Sequence, residues 1–248
     1  MKTRLIIIVA CCFWTMASAQ NLQLHYDLRH TVDPAHNPKN FPTLYFEYFK
    51  SMKKANDSSI IKPGSFFLKV QTDMQGANDN IGKSYIQVSQ SFKLWKPEVY
   101  LSLQYSGGLG VTEPRQYSYY ITNALSAGPV YGFQWQRAYF SAGLSYTRNL
   151  LKSPSNDFLA SFYWGKGFFN YKLEFNGDFE LYSINKNQGD EATQNLHGKR
   201  ISFFGEPQLW FNINKTVGIG ARLNMFYHVV TTEDVFQNYP TVAVRFKL

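Results

Sequence analysis

The chain has 248 residues, 44% of them hydrophobic and 17% aromatic, with 25 basic and 17 acidic side chains that leave a net charge of +8. This length suits one domain, since all-β barrels and sandwiches commonly reach about 200–250 residues as single units. A pI near 9.3 would permit nucleic-acid binding, but no Lys/Arg run or recognition-helix pattern accompanies it, so an anionic membrane surface is the expected counterpart and nucleic acid is not.

The first residues read as an export signal. Lys2 and Arg4 give a positive start, Leu5 to Met16 an apolar stretch, and Ala17-Ser18-Ala19 a small-residue cleavage site. Residues 1–19 are therefore expected to be a signal peptide and 20–248 the mature domain. Ile8-Val9-Ala10-Cys11 also resembles a lipoprotein processing box. The apolar core before it is short, however, against the roughly 7–15 residues usual for such a signal. Both cysteines, Cys11 and Cys12, fall in the removed segment, so no thiol or disulfide chemistry is expected.

The remainder alternates apolar and polar side chains with period two, the mark of extended strands. The first predicted strand, Leu22 to Thr31, sets Leu22, Leu24, Tyr26 and Leu28 against Gln23, His25, Asp27 and Arg29. The second, Pro42 to Lys50, sets Leu44, Phe46 and Tyr48 against Tyr45 and Glu47; the third, Ser65 to Met74, sets Phe66, Leu68 and Val70 against Lys69, Gln71 and Asp73. Lys83 to Leu94 and Glu98 to Ser106 continue the pattern, with Tyr85, Gln87 and Tyr100 on the polar face. The sixth strand lies within Tyr117 to Phe133, where Gly128-Pro129 suggests a bulge or an early end.

Arg137 to Arg148 and Asp157 to Trp164 follow. The ninth strand, Phe169 to Tyr182, is the cleanest, with Lys172, Glu174, Asp178 and Glu180 opposite Phe169, Tyr171, Leu173, Phe175, Phe179 and Leu181. Lys199 to Phe211 turns Ser202, Phe204, Glu206 and Gln208 to the polar face. Thr216 to Val229 turns Arg222, Asn224 and His228 the same way, and Tyr239 to Leu248 ends the chain. The expectation is an all-β protein, a transmembrane antiparallel up-and-down β-barrel of about 12 strands, with strands near the roughly 9–11 residues needed to cross a bilayer.

The connections sort by side. Residues 95–97, 134–136, 165–167 and 212–215 make short turns, expected in the periplasm. Residues 30–40, 107–116, 183–198 and 230–238 make long loops, expected outside the cell. Met52 to Pro63 is the one long connection on the periplasmic side. Val242, Val244, Phe246 and Leu248 alternate to the last residue, the form of terminal strand that barrel assembly machinery engages. A secreted β-sandwich or lipocalin-like barrel would turn the apolar face inward instead. Dense charge opposite many aromatics favours the membrane barrel, a multi-pass protein of the Gram-negative outer membrane surrounded by lipid.

Thr43-Leu44-Tyr45-Phe46-Glu47-Tyr48-Phe49, aromatic-rich with an inward glutamate, resembles the second strand of the Tsx family of nucleoside-specific outer-membrane channels. Tyr119 to Tyr131, with Asn123 and the Gly-Pro break, resembles its central segment. The resemblance in architecture covers about Asn21 to Leu248. It implies a narrow, monomeric, twelve-stranded channel for small polar solutes, nucleoside-like ones first; no individual binding residue carries over.

The polar face supplies the candidates for lumen and solute contact: Asp27, Arg29, Tyr45, Glu47, Lys69, Asp73, Tyr100, Lys172, Glu174, Asp178, Glu206 and Arg222. Mixed charge suits neutral or zwitterionic solutes better than anions, and inward tyrosines could stack on planar bases. Charges paired across strands purely as structure remain an equal alternative for any one residue. No cofactor and no metal site is expected, because the five histidines have no ligand spacing. Catalysis is not expected either. The alternatives to a passive channel are a lipid-modifying enzyme, which needs a serine within reach of a histidine, and a non-conducting barrel whose loops bind a partner.

Overall fold

The structure is a computed structural model that describes residues 19–52, 61–93, 98–112, 117–191 and 193–248. Its strands are β1 (Ala19–Asp27), β2 (Phe41–Ser51), β3 (Lys62–Asp73), β4 (Lys83–Lys93), β5 (Val99–Val111), β6 (Ser118–Trp135) and β7 (Ala138–Asn149). They continue as β8 (Ser155–Phe168), β9 (Leu173–Asn185), β10 (Lys199–Gly205), β11 (Gln208–Asn212), β12 (Val217–Tyr227) and β13 (Phe236–Lys247). Every pairing is antiparallel, and β13 pairs with both β12 and β1, so the sheet closes on itself. β10 and β11 are two halves of one wall strand, both paired between β9 and β12. The barrel is therefore twelve-stranded with one strand interrupted.

Closure leaves no open edge, the condition a sheet must meet inside lipid. The alternation does the rest. Leu24, Tyr26, Leu44, Leu103, Tyr105, Leu144, Tyr146, Leu181, Leu209, Ile219, Val242 and Val244 are exposed on the outer face. Between them Gln23, His25, Asp27, Lys69, Glu206, Arg222, Thr241 and Arg245 are buried inside. Ring contacts cross the outer face from Phe133–Phe140 (5.2 Å between centroids) through Phe140–Phe162 (5.9 Å), Phe162–Trp164 (6.2 Å) and Trp164–Phe179 (4.7 Å) to Phe179–Phe203 (5.6 Å). Among the described residues no helix is long and apolar enough to cross a membrane. The one α-helix among the described residues, α1 (Arg29–Val32), is a single turn after β1.

Several boundaries differ from the sequence reading. Phe169 to Lys172 is a turn, with Phe169, Asn170 and Tyr171 at φ of 52°, 56° and 62°, so β9 begins only at Leu173. The alternation runs through this turn because interfacial aromatics occupy it, 79% exposed at Phe169 and 68% at Tyr171. Gly165 and Gly167 belong to β8. A side chain at Gly167 would meet the Tyr171 ring at 2.3 Å, so this glycine clears space for an aromatic.

Gly128-Pro129 does not end β6, which continues for 18 residues. The ladder to β7 skips only these two positions, where a side chain at Gly128 would lie 2.1 Å from the Leu144 carbonyl oxygen. Gly107 to Val111 is strand with a register shift at Gly108/Leu109, so the long loop expected from 107 begins no earlier than Thr112. The expected turn at 134–136 becomes a two-residue hairpin at Gln136-Arg137, both with positive φ (48° and 61°). The segments 1–18, 53–60 and 95–97, on which the export signal, the long periplasmic connection and one short turn were placed, lie outside the described residues.

Candidate functional site: the charged lumen

Six of the twelve candidate residues meet at the waist of the barrel. Tyr45, Lys69, Asp178 and Arg222 occupy the middles of β2, β3, β9 and β12, and Glu47 follows Tyr45 on the same face. Glu206 comes from the interruption between β10 and β11. Pro207 has no N–H to give a ladder, and the chain here approaches β9 so closely that a side chain at Gly177 would lie 2.6 Å from the Glu206 carbonyl oxygen. The Glu206 amide donates to the Asp178 carbonyl at 3.0 Å. A break of this kind re-aims a side chain, and here it aims Glu206 across the lumen.

Glu206 accepts from Lys69 Nζ at 2.5 Å and is ion-paired with Arg222 Nη1 at 2.9 Å, a contact without hydrogen-bond geometry; all three side chains are no more than 6% exposed. Because β3 and the β10–β11 strand stand nearly opposite in the ring, the Lys69–Glu206 pair bridges the barrel. The Tyr45 hydroxyl donates to Glu47 at 3.1 Å and reaches Glu206 at 3.4 Å. Its ring lies under the Arg222 guanidinium (5.1 Å) and the Lys69 ammonium (5.2 Å). Beside it a chain of hydrogen bonds fixes a neutral histidine. Gln23 Nε2 donates to Glu47 at 3.3 Å, which turns Gln23 Oε1 toward His25 Nε2 at 2.8 Å. His25 Nε2 is then the donor, and Nδ1 accepts from the Thr241 hydroxyl at 2.8 Å. Trp210, fully buried, stands edge-on to His25 at 5.9 Å.

The opposite wall is built from small and uncharged side chains. Ser89, Ser102, Gln104, Ser106, Ser145 and Ser161 face inward from β4, β5, β7 and β8 and are half-buried, as are Tyr85 and Tyr163. Gln87 ties the two tyrosines together, accepting from Tyr85 at 3.2 Å and donating to Tyr163 at 3.5 Å. Tyr163 donates to Glu180 at 3.3 Å. The lumen thus has a packed, charged side formed by β1–β3 and β9–β13, and a side of short hydroxyls.

The other candidates lie elsewhere. Asp27 and Arg29 pair at 2.8 Å at the end of the barrel where β1 leaves and β2 enters, and there Arg29 stacks between Phe41 (4.7 Å) and Tyr239 (5.1 Å). Asp73 there accepts from Thr43 at 2.9 Å and Gln71 at 3.0 Å. Tyr100 and Glu174 belong to the opposite end. Tyr100 donates to Glu98 at 3.2 Å, and Glu174 takes Arg245 at 2.7 Å and Lys247 at 2.5 Å. Lys172 does not line the lumen: it is exposed in the 169–172 turn, its ammonium 5.6 Å from the Phe211 ring. His228 does not project inward from a strand either. It follows β12 at positive φ and bonds Ile201 O (2.8 Å) and Asp234 (2.7 Å).

Arg245, Lys247, Trp210 and Tyr239 are lumenal residues absent from the sequence-derived set. Arg245 and Lys247 carry a plain signal, since they alternate with Val244, Phe246 and Leu248. Trp210 shares the face of Gln208, but an aromatic in a membrane strand is expected toward lipid. In the loop between β1 and β2, Asp33 and His36 bond at 2.7 Å. That bond holds the Asp33 carboxyl below and the His36 imidazole above their ordinary ranges.

A closed barrel of twelve antiparallel strands, apolar outside and charged within, defines a multi-pass β-barrel protein of the Gram-negative outer membrane. The chain belongs to the family described as a domain of unknown function, DUF5020, whose match runs over residues 19–248. No curated protein sequence matches it. Among solved structures it is similar to the NanC porin, with 11% identity and a TM-score of 0.50 over 93% of this chain and 100% of that one. It is similar to the same degree to outer membrane phospholipase A from Escherichia coli, with 10% identity and a TM-score of 0.50 over 95% and 93% of the two chains. One neighbour is a porin and the other an enzyme, so the likeness speaks for the fold alone.

Proposed function

We propose that this barrel is a channel for passive diffusion of small polar solutes across the outer membrane, with nucleosides the first class to test. The observation that carries the reading is the asymmetry of the lumen. A hydroxyl-lined wall of half-buried serines and two tyrosines faces a fixed charged cluster, which suits a solute that needs donors, acceptors and a ring to stack on. The Tsx-like features of the second strand point the same way, since Tyr45 and Glu47 both belong to the waist.

A non-catalytic role is supported by the histidines. His25 and His228 each have both ring nitrogens engaged by groups other than a serine, and His30 Nδ1 donates to the Asn37 carbonyl at 2.6 Å. Neither His25 nor His228 is poised to take a proton from a serine hydroxyl. Liposome swelling with nucleosides, sugars and amino acids, together with single-channel conductance, tests the proposal. Swelling faster than in protein-free liposomes is expected for nucleosides. No swelling with any solute and no current would overturn it.

A further inference from the structure

Resting on that channel reading, we infer that the waist holds a site for a cationic group, formed by Asp178 and Glu180 on β9 beside Tyr163 and Tyr85. The solute class it favours carries a primary ammonium. The first ground is the charge count. Among the described residues, Glu47, Asp178, Glu180 and Glu206 share the waist with two cations, Lys69 and Arg222, and both of these are drawn to Glu206, at 2.5 and 2.9 Å. Glu47 accepts from Tyr45 and Gln23, and one Glu180 oxygen accepts from Tyr163.

The second ground is Asp178 itself. It is 8% exposed, it projects inward from the middle of β9, and its carboxyl has no hydrogen-bond or ion-pair partner among the described residues. A buried carboxylate without a partner is costly. The fold nonetheless keeps it two residues from Glu180 on the same strand face, about 7 Å along the strand. Two carboxyls at that spacing, bordered by half-buried tyrosine rings and the Gln87 amide, can receive an ammonium by ionic hydrogen bonds and by the faces of the rings. The anion that would compete for Lys69 and Arg222 is already present as Glu206. A negatively charged solute therefore meets cations already ion-paired with Glu206 and, beside them, the carboxyls of Asp178 and Glu180.

The test is the reversal potential of the full-length protein in planar bilayers under a KCl gradient. The expected result is several-fold permeability of potassium over chloride, reduced toward unity in Asp178→Asn/Glu180→Gln and unchanged in Glu191→Gln, an exposed loop control. Current without cation preference, or a preference indifferent to the double substitution, overturns the site and leaves the channel standing. Absence of any wild-type current overturns the channel. The site is then decided by thermal unfolding of the detergent-folded protein in butylammonium chloride, since a ligand that binds only the folded form raises the midpoint. A rise in the wild type that is smaller in the double variant supports the site, and an equal rise in both overturns it. Should the double variant not assemble, Glu180→Gln alone replaces it. An anion-preferring or unselective wild-type current is by itself sufficient to refute the inference.

Discussion

Replacing Glu206 by Gln keeps the shape of the waist and removes the one charge that Lys69 and Arg222 share. At an effective dielectric constant near 20, the attractions at 2.5 and 2.9 Å amount to about 7 and about 6 kcal/mol. Most of this offsets the cost of taking three charges out of water, and removing one partner of a buried pair typically costs about 3–5 kcal/mol net. Glu47 and Asp178 are close enough to take up part of the released positive charge, which places the expected loss near the lower end, about 3 kcal/mol. Urea unfolding of protein folded into lipid vesicles, followed by tryptophan fluorescence, measures it, with the slope unchanged. Lys69→Met leaves Glu206 with Arg222 and should cost less. The double variant Lys69→Met/Glu206→Gln should lose less than the two single losses added together. A loss below about 1 kcal/mol for Glu206→Gln would put these pairs in the range of wet surface ion pairs. The picture of a dry bridge across the lumen would then be wrong.

Three further outcomes follow from the geometry. Gly128→Ala should destabilise the barrel by about 1–3 kcal/mol or more, the scale of overpacking, because the added carbon meets backbone atoms of Leu144 and Ser145 at 2.1 and 2.5 Å; wild-type stability would show that β6 and β7 part there at little cost. Leu103→Arg on the lipid face of β5 should cost about 2–4 kcal/mol if it lies near the midplane, whereas Gln104→Arg on the lumenal face should cost much less, and equal losses in vesicle unfolding would reverse the assignment of faces. Because Asp33 raises the His36 imidazole above 6.5, the loop pairing should be fully present below that value and lost as pH rises through the elevated one. NMR titration should show His36 moving back toward 6.5 in Asp33→Asn, and no movement would show that the 2.7 Å bond does not persist in solution.

The face of nearly every wall residue was readable from period-two alternation, because a strand buried in lipid on one side and wet on the other tolerates few errors of phase. The reading fails where a turn borrows the same chemistry. Phe169 and Tyr171 satisfy an interfacial belt whether they stand in a strand or a turn, so their alternation with Asn170 and Lys172 carries no information about where β8 ends. Glycine misleads for a related reason. Gly165-Lys166-Gly167 has the composition of a turn, yet Gly167 is needed for the volume of the Tyr171 ring. The break at Glu206-Pro207 did carry a signal, since a proline in a central wall strand implies a lost ladder bond.

What alternation cannot supply is height and partner across the lumen. Glu47 and Glu206 look alike in sequence, each an acid among inward aromatics, and Glu174 and Asp178 are four residues apart on one face of one strand. Yet Glu174 pairs with Arg245 and Lys247 at one end of the barrel, while Asp178 stands at the waist without a partner. The difference comes from the stagger of strands on closure, which brings Lys69 onto Glu206 over 137 residues of sequence and sets Arg245 beside Glu174 over 71. Closure sorts a roster of inward charges into ion-paired clusters and leaves Asp178, among the described residues, without a partner of its own. Charge at the waist is thus a property of the closed ring and of no single strand, and a substitution that shifts the register of β9 against β10–β11 should move it as surely as replacing Asp178. Gly177 is where such a shift can be forced, since any side chain there must push the Glu206 carbonyl 2.6 Å away out of place. Gly177→Val should therefore lower stability, as Glu206→Gln does, and also alter ion selectivity with all four waist acids intact. Unchanged selectivity in an assembled Gly177→Val barrel would show that the interrupted strand does not position the charge.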